Sequence, residues 1–119
     1  AVRYSSMSPL NTPEKHGLLT AIDLDSGEIV WQVKTENPLI GGVLSTASGL
    51  VFTGEGSGEL MAFDADSGEK RWSGKTEAGV NAPPITYSVN GKQYIAVAVG
   101  GNRLFGFKTG QKIRAWSLP

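Results

Sequence analysis

Short apolar runs alternate with glycine-containing turns along most of the chain. No stretch keeps the 3.6-residue apolar period of an amphipathic helix, whereas short apolar runs bounded by turn residues are typical of β-strands. The pattern predicts strands at residues 18–23, 29–34, 42–46, 50–54, 59–64, 70–74, 84–88, 93–99, 103–108 and 113–118. The sequence therefore predicts an all-β protein built from many short strands.

One segment of eleven residues occurs twice. AIDLDSGEIVW at residues 21–31 returns as AFDADSGEKRW at residues 62–72, with seven identical letters at a spacing of 41 residues. The tripeptide KTE follows both copies, at residues 34–36 and 75–77. A period in the low forties with about four strands per period is typical of a β-propeller, in which each period forms one blade.

Each copy contains a polar turn between two predicted strands. Asp23 and Asp64 are expected to accept hydrogen bonds from backbone N–H groups of the turn. Gly27 and Gly68 are expected to take the left-handed conformation that a bulged hairpin loop requires. The two polar segments are therefore predicted to be hairpins that connect strands.

A tryptophan follows each of these glycines by four residues, as Trp31 and Trp72. An indole supplies a large buried area and an N–H donor, so its constant position predicts packing between successive units. A third copy, at residues 94–119, keeps a Thr-Gly turn but lacks the aspartate, and its Trp116 follows Gly110 by six residues. This degenerate copy is the expected form of a terminal unit.

Residues 1–16 are predicted to form an irregular leader, and residues 17–119 to form the propeller part. The leader contains three serines, two prolines and the polar run NTPEKH. It begins with neither a methionine nor a signal sequence, which predicts either processing or a longer parent chain.

Composition excludes several kinds of site. Eleven basic and eleven acidic residues leave no net charge, which argues against nucleic-acid binding and an anionic-membrane patch. The chain has no cysteine and a single histidine, so thiolate chemistry and a multi-histidine metal site are excluded. The longest apolar run, YIAVAV, is far shorter than the roughly 20 residues that cross a bilayer.

The polar motifs have plain structural interpretations. DLDSGE and DADSGE are not predicted to be EF-hand loops, because Lys34 and Lys75 stand where the twelfth-position carboxylate is needed. GEGSG at residues 54–58 precedes a strand pattern rather than a helix, which favours a tight turn over a phosphate loop. Surface or solvated positions are predicted for the remaining ionisable candidates, His16, Asp25, Glu28, Glu55, Glu59, Asp66 and Glu69.

Residues 17–119 resemble the C-terminal region of pyrroloquinoline quinone (PQQ)-dependent alcohol dehydrogenases of the methanol/ethanol type. Both eleven-residue repeats match that family's tryptophan-docking motif, Ala-x-Asp-x-x-Thr/Ser-Gly-x-x-x-Trp. The runs GGVLSTASGLVFTGEGSG, GVNAPPITYSVNGKQYIAVAVGGN and FGFKTGQKIRAWSLP extend the resemblance.

The resemblance implies an eight-bladed propeller in the bacterial periplasm, of which this chain would form about two and a half blades. It implies PQQ with calcium or a lanthanide on the propeller axis, oxidation of primary alcohols to aldehydes, and a cytochrome c as electron acceptor. The family's metal ligands, catalytic aspartate, adjacent cysteines and PQQ-stacking tryptophan belong to upstream blades. The isolated chain is therefore expected to be inactive, and its bare blade faces to cause self-association.

Four residues are implied at the edge of the cofactor pocket. Leu39 and Ile40 follow the NP pair, and Ile40 stands where the family commonly has a tryptophan. Gly101 and Asn102 form the glycine-rich turn after YIAVAV. Apolar contact is expected from the first pair and a hydrogen bond from Asn102, whose plainer interpretation is that of a turn residue.

Two alternatives remain open. One is a non-enzymatic scaffold, because outer-membrane assembly lipoproteins use similar repeats in an eight-bladed ring without PQQ. The other is a short protein that completes a ring by oligomerising.

Overall fold

The computed structural model describes residues 1–7 and 15–119. The described residues are all-β and contain no helix long and apolar enough to cross a membrane. The strands are β1 (Val2–Met7), β2 (Gly17–Asp23), β3 (Ile29–Thr35), β4 (Val43–Ser45), β5 (Leu50–Glu55), β6 (Glu59–Asp64), β7 (Lys70–Lys75), β8 (Ile85–Val89), β9 (Lys92–Val99) and β10 (Lys112–Ser117).

These strands form three antiparallel sheets that follow one another along the chain. The first sheet has the order β1-β2-β3, the second β4-β5-β6-β7 and the third β10-β9-β8. The 41-residue repeat is visible in their detail, because the register shifts between Ala21 and Ile22 in the first sheet and between Ala62 and Phe63 in the second. Successive sheets are thus successive blades of a partial propeller.

The polar turns have the predicted construction. Asp23 Oδ1 accepts hydrogen bonds from the backbone N–H groups of Asp25 and Ser26, at 2.8 and 3.1 Å. Asp64 Oδ1 accepts the equivalent pair at 3.0 Å each. Gly27 and Gly68 both have a φ of 74°, which only glycine adopts without strain.

The central strands β5 and β6 of the second sheet are buried on both faces. Successive side chains along each strand point to opposite sides and so enter two different cores. On β6, Met61 and Phe63 face the first sheet, whereas Leu60 and Ala62 face the third. The core between the first two sheets also contains Leu19, Leu39 and Val51; the core between the last two contains Phe52, Ala78, Val80, Ile95, Val97 and Val99. The described residues provide no such cover for the outer faces of the flanking sheets, and Ile85, Tyr87 and Val89 of β8 are exposed.

The sequence-based strand predictions fail in two places. Val2–Met7, predicted to be irregular, forms β1 and pairs with β2 from Val2 opposite Asp23 to Met7 opposite Leu18. Residues 8–14 of the predicted leader lie outside the described part, and its separation from the propeller part stays a prediction. The strand predicted at 103–108 is instead a turn, closed by a single bridge between Asn102 and Phe107.

The second error changes the interpretation of the third unit. Because β10 pairs directly with β9, as β6 pairs with β5, β10 is the third strand of its blade. Thr109 and Gly110 therefore lie in the connection before that strand, not in the hairpin after it.

Candidate functional site

Three connections between strands meet at one end of the sheets: residues 36–42 after β3, 76–84 after β7 and 100–111 after β9. Gly101 N–H donates to the Gly79 carbonyl at 2.9 Å. Gly41 lies against the next connection, since a Cβ at Gly41 would be 2.9 Å from the Asn81 carbonyl carbon and from Ala82 O. The segment 79–82 is thereby placed between the two segments that the family resemblance implicates.

The two residues of the first implicated pair, Leu39 and Ile40, differ in burial. Leu39 is buried and packs in the core between the first two sheets. It also lies against Gly17, where a Cβ would be 2.7 Å from Leu39 Cγ. Ile40, the next residue, is half-buried. Leu39 is therefore placed to anchor the connection, and Ile40 is the member of the pair that is open to a neighbour.

The second implicated pair forms a tight turn. Gly101 has a φ of 67°, and a side chain there would collide with the Lys108 carbonyl oxygen. Asn102 Oδ1 accepts a hydrogen bond from Leu104 N–H at 3.0 Å. Asn102 thus stabilises the turn with its carbonyl oxygen, and the left-handed conformation belongs to Gly101 and not to Asn102.

The turn at 102–108 projects from this end. Leu104 is 89% exposed, whereas the Phe107 ring lies directly over Gly56, where any side chain would collide with it. The backbone of this connection is fixed at its base, because Gly79 N–H donates to the Lys108 carbonyl at 3.0 Å. The tip is therefore exposed while its stem is part of the sheet end.

Sequence reasoning missed one residue here, Asn81. Its Nδ2 and Oδ1 are both buried and have no hydrogen-bond partner among the described residues. A buried polar group without a partner costs roughly 1–3 kcal/mol. The repeat could have pointed to Asn81, because it stands 41 residues after Ile40, which the family resemblance implicates.

Glu55 corrects a prediction, since it is buried and not solvated. The residue is only 5% exposed. Oε1 accepts from the Asn37 backbone N–H at 2.9 Å, and Oε2 accepts from Ser57 Oγ at 2.6 Å. The carboxylate therefore ties the connection that carries Ile40 to the β5–β6 turn of the second sheet.

Glu77 makes the ionic contacts of this end. Its Oε1 lies 2.9 Å from Lys112 Nζ, and its Oε2 lies 3.0 Å from Arg114 Nε. The hydrogen bond from Lys112, with the one from Arg114, lowers the pKa of Glu77 to about 2. Glu77 therefore stays ionised and links the β7–β8 connection to β10.

The described residues bring together no group of three or more histidine or acidic side chains that could hold a metal ion. Glu55 and Glu77 are each engaged in structural contacts, so neither forms an acid–base pair with a second carboxyl group. This end of the molecule offers hydrogen bonds, glycine surfaces and apolar contact.

Comparison with known proteins identifies the repeats. The model of the PQQ repeat family, described as "Outer membrane protein assembly factor BamB", matches residues 15–119. The chain belongs to this family. Among the proteins similar to this chain, the quinoprotein ethanol dehydrogenase of Pseudomonas aeruginosa is 50% identical over 84 residues, which cover 71% of this chain and 14% of that protein.

Two further relatives extend the match. The quinoprotein glucose dehydrogenase of Escherichia coli is 35% identical over 136 residues, covering 95% of this chain and 17% of that protein. The crystal structure of quinohemoprotein alcohol dehydrogenase from Comamonas testosteroni superimposes with a TM-score of 0.72 at 35% identity, covering 86% of this chain and 16% of that one. The resemblance to PQQ-dependent alcohol dehydrogenases is thereby confirmed, and the chain spans about a sixth or less of these relatives.

BamB from Moraxella catarrhalis has the same fold. Its structure superimposes with a TM-score of 0.52 at 20% identity, covering 85% of this chain and 36% of that one. This similarity concerns the propeller architecture alone.

Proposed function

We propose that this PQQ-repeat chain forms part of the propeller of a periplasmic, PQQ-dependent dehydrogenase that oxidises primary alcohols to aldehydes. The observation that carries the proposal is the 50% identity with a quinoprotein ethanol dehydrogenase. The meeting of two inter-blade connections and one connection within the third blade at one end, around Gly79, supports a pocket edge there. A cytochrome c would accept the electrons in the intact enzyme.

The residues at this end fit a planar cofactor with many oxygen acceptors. Ile40 supplies apolar contact, and Gly101 lets a ring approach the backbone closely. Asn102 and Asn81 supply amide groups, and the unmet hydrogen bonds of Asn81 are the structural feature that an acceptor-rich ligand would satisfy. Leu39 supports these residues from the core.

PQQ, with calcium or a lanthanide, supplies the two-electron oxidation when it is bound. The residues of this chain do not act as acid or base in the proposed site; they exclude water, support the cofactor edge and pack the blades that shape it. The metal ligands and the base are assigned to other blades of the intact protein.

The test uses the intact protein that carries this chain, prepared without cofactor. Added PQQ with calcium or a lanthanide should restore reduction of an artificial dye by ethanol, and the isolated 119-residue chain should give none. Ile40→Glu should weaken PQQ binding by at least about tenfold, because it places an uncompensated carboxylate against the cofactor. Leu24→Glu is the matched control, since Leu24 is exposed in the β2–β3 turn.

Two results would contradict the proposal. One is an intact protein that reduces no dye with any primary alcohol after PQQ and metal are added. The other is an equal effect of the Ile40 and Leu24 variants on PQQ binding.

A second candidate function is a non-enzymatic scaffold that binds other proteins through its loops. The matching family description and the shared fold with BamB favour it. The rest of the parent sequence discriminates the two: adjacent cysteines and acidic metal ligands support the dehydrogenase, whereas a lipid-modified cysteine without these supports the scaffold.

A further inference from the structure

The carboxamide of Asn81 has unused hydrogen-bonding capacity. Neither its Nδ2 nor its Oδ1 bonds to any residue of 1–7 or 15–119, although both atoms are buried. A carboxamide offers two N–H donors and a two-lone-pair acceptor, and buried polar groups of folded proteins are nearly always paired. A partner from outside the described residues would satisfy this side chain.

Its position indicates which partner. Asn81 is the repeat counterpart of Ile40, and Gly41 packs directly on its peptide group. On the other side, Gly101 N–H is bonded to Gly79, two residues before Asn81. The unsatisfied amide thus lies between the two segments proposed above as the cofactor edge.

Phe107 and the amide of Asn81 both lie beside Gly79. A Cβ placed on Gly79 would lie 3.3 Å from Asn81 Nδ2 and 3.1 Å from Phe107 Cβ, so the two side chains border the same glycine. The tip that carries Phe107 closes on itself through hydrogen bonds from Phe107 N–H to the Asn102 carbonyl at 2.8 Å and from Gly106 N–H to the Arg103 carbonyl at 3.1 Å, and the Lys108 carbonyl at its base accepts from Gly79 N–H at 3.0 Å. A shift of the tip about Lys108 would move Phe107 away from Gly79 without breaking these bonds.

We infer that Asn81 is a cofactor-binding residue, whose Nδ2 donates a hydrogen bond to an oxygen of PQQ when the 102–108 tip moves aside. The inference rests on the proposed function, because it assigns a residue to the same pocket. The chemistry is that of an amide donor facing a carboxylate or carbonyl oxygen in a site sheltered from water.

The experiment compares Asn81→Leu with wild type in the intact, cofactor-free protein. PQQ affinity is measured by fluorescence titration, and stability without PQQ by urea unfolding. We expect the dissociation constant to rise by about tenfold or more, as for a lost hydrogen bond to a charged group. The urea midpoint without PQQ should stay unchanged or rise, because the variant removes an unpaired amide. Gln111→Leu, which removes an exposed amide before β10, is the control and should change neither value.

Each other outcome overturns the inference. An unchanged dissociation constant with a lower urea midpoint in Asn81→Leu would mean that water or another part of the protein pairs with the amide. If the leucine variant does not fold, Asn81→Ala decides by the same two measurements, and loss of stability in both variants indicates a structural role. Failure of the wild-type protein to bind PQQ would instead refute the proposed function, and this inference with it.

Discussion

Trp31 and Trp72 hold the same place in the repeat, 41 residues apart, but their surroundings differ. Trp31 Nε1 donates to the Ala65 carbonyl at 2.8 Å, and the indole lies against Gly68 of the following unit. Trp72 is 38% exposed and meets Trp116 edge-on, with ring centroids 5.5 Å apart. Beside Trp72 lies an apolar cavity of about 280 Å³, bounded also by Leu50, Phe52, Ala62, Ile95, Ser117, Leu118 and Pro119.

The difference shows that the partner of each tryptophan comes from the next unit. Ala65 and Gly68 belong to the hairpin between β6 and β7, the third and fourth strands of the second blade. The described part of the third unit has β10 as its third strand and presents no such hairpin to Trp72. The contribution of a repeated residue to stability therefore depends on which residues of the following unit contact it.

Replacing each tryptophan by alanine should give the largest difference in stability between the two environments. Trp31→Ala should cost about 3–5 kcal/mol of unfolding free energy, because it removes a packed indole and its hydrogen bond to Ala65. Trp72→Ala should cost about half as much, since the ring is already partly exposed beside a cavity. The measurement is urea unfolding of the intact protein.

Equal costs for both variants would mean that Trp72 has a complete partner in the intact protein, supplied by residues outside this chain. The difference between the two tryptophans would then be a property of this chain alone and not of the assembled ring.

Glycine-to-alanine substitutions test the contact between Trp31 and Gly68. Gly68 and Gly27 share a φ of 74°, so an alanine at either place carries the same left-handed strain, roughly 1–2 kcal/mol. A Cβ at Gly68 would also lie 2.7 Å from the Trp31 ring, whereas a Cβ at Gly27 would meet no atom within 4 Å. Gly68→Ala should therefore cost about 3 kcal/mol in urea unfolding and Gly27→Ala about 1 kcal/mol.

Indistinguishable urea midpoints for these two alanine variants would show that the Trp31 indole moves aside without a loss of stability. In that case the close contact between Gly68 and Trp31 does not explain why glycine occupies this turn.

The repeated part of the fold could be predicted because its signals are local. The turn at Asp23 and the one at Asp64 follow from their own residues, which bond to the backbone two and three positions ahead. The segment at Val2–Met7 carries no such signal, since its serines are compatible with both strand and loop, and pairing with β2 decides its structure.

The candidate site was only partly predictable for a related reason. Gly101 and Asn102 form the turn that the glycine-rich sequence predicts. The short apolar run LFGF after it predicts a strand, whereas the structure has a turn there. The burial of Glu55 depends on Asn37, which is distant in sequence and reaches it from another blade. Asn81 was missed because an asparagine near two prolines is typical of a loop.

The smallest expected effect concerns the ionic contacts of the second interface. Glu77 bonds to Lys112 and Arg114 of β10, whereas its repeat counterpart Glu36 is exposed and lies in the connection after β3. The pKa of Glu77 in the folded protein, about 2, lies below its ordinary value of 4.5. Its contribution to stability is therefore complete above about pH 4.5 and is lost as the pH falls towards about 2.

Glu77→Gln should accordingly lower the urea midpoint slightly at neutral pH, and the difference from wild type should shrink as the pH is lowered through that window. Glu36→Gln is the matched control and should differ little from wild type at any pH in the series. A gap between Glu77→Gln and wild type that stays constant from neutral pH to about pH 3 would mean that the carboxylate acts through packing and not through its charge. In that case the ionic contacts from Glu77 to β10 would not compensate for the hairpin that Trp72 lacks.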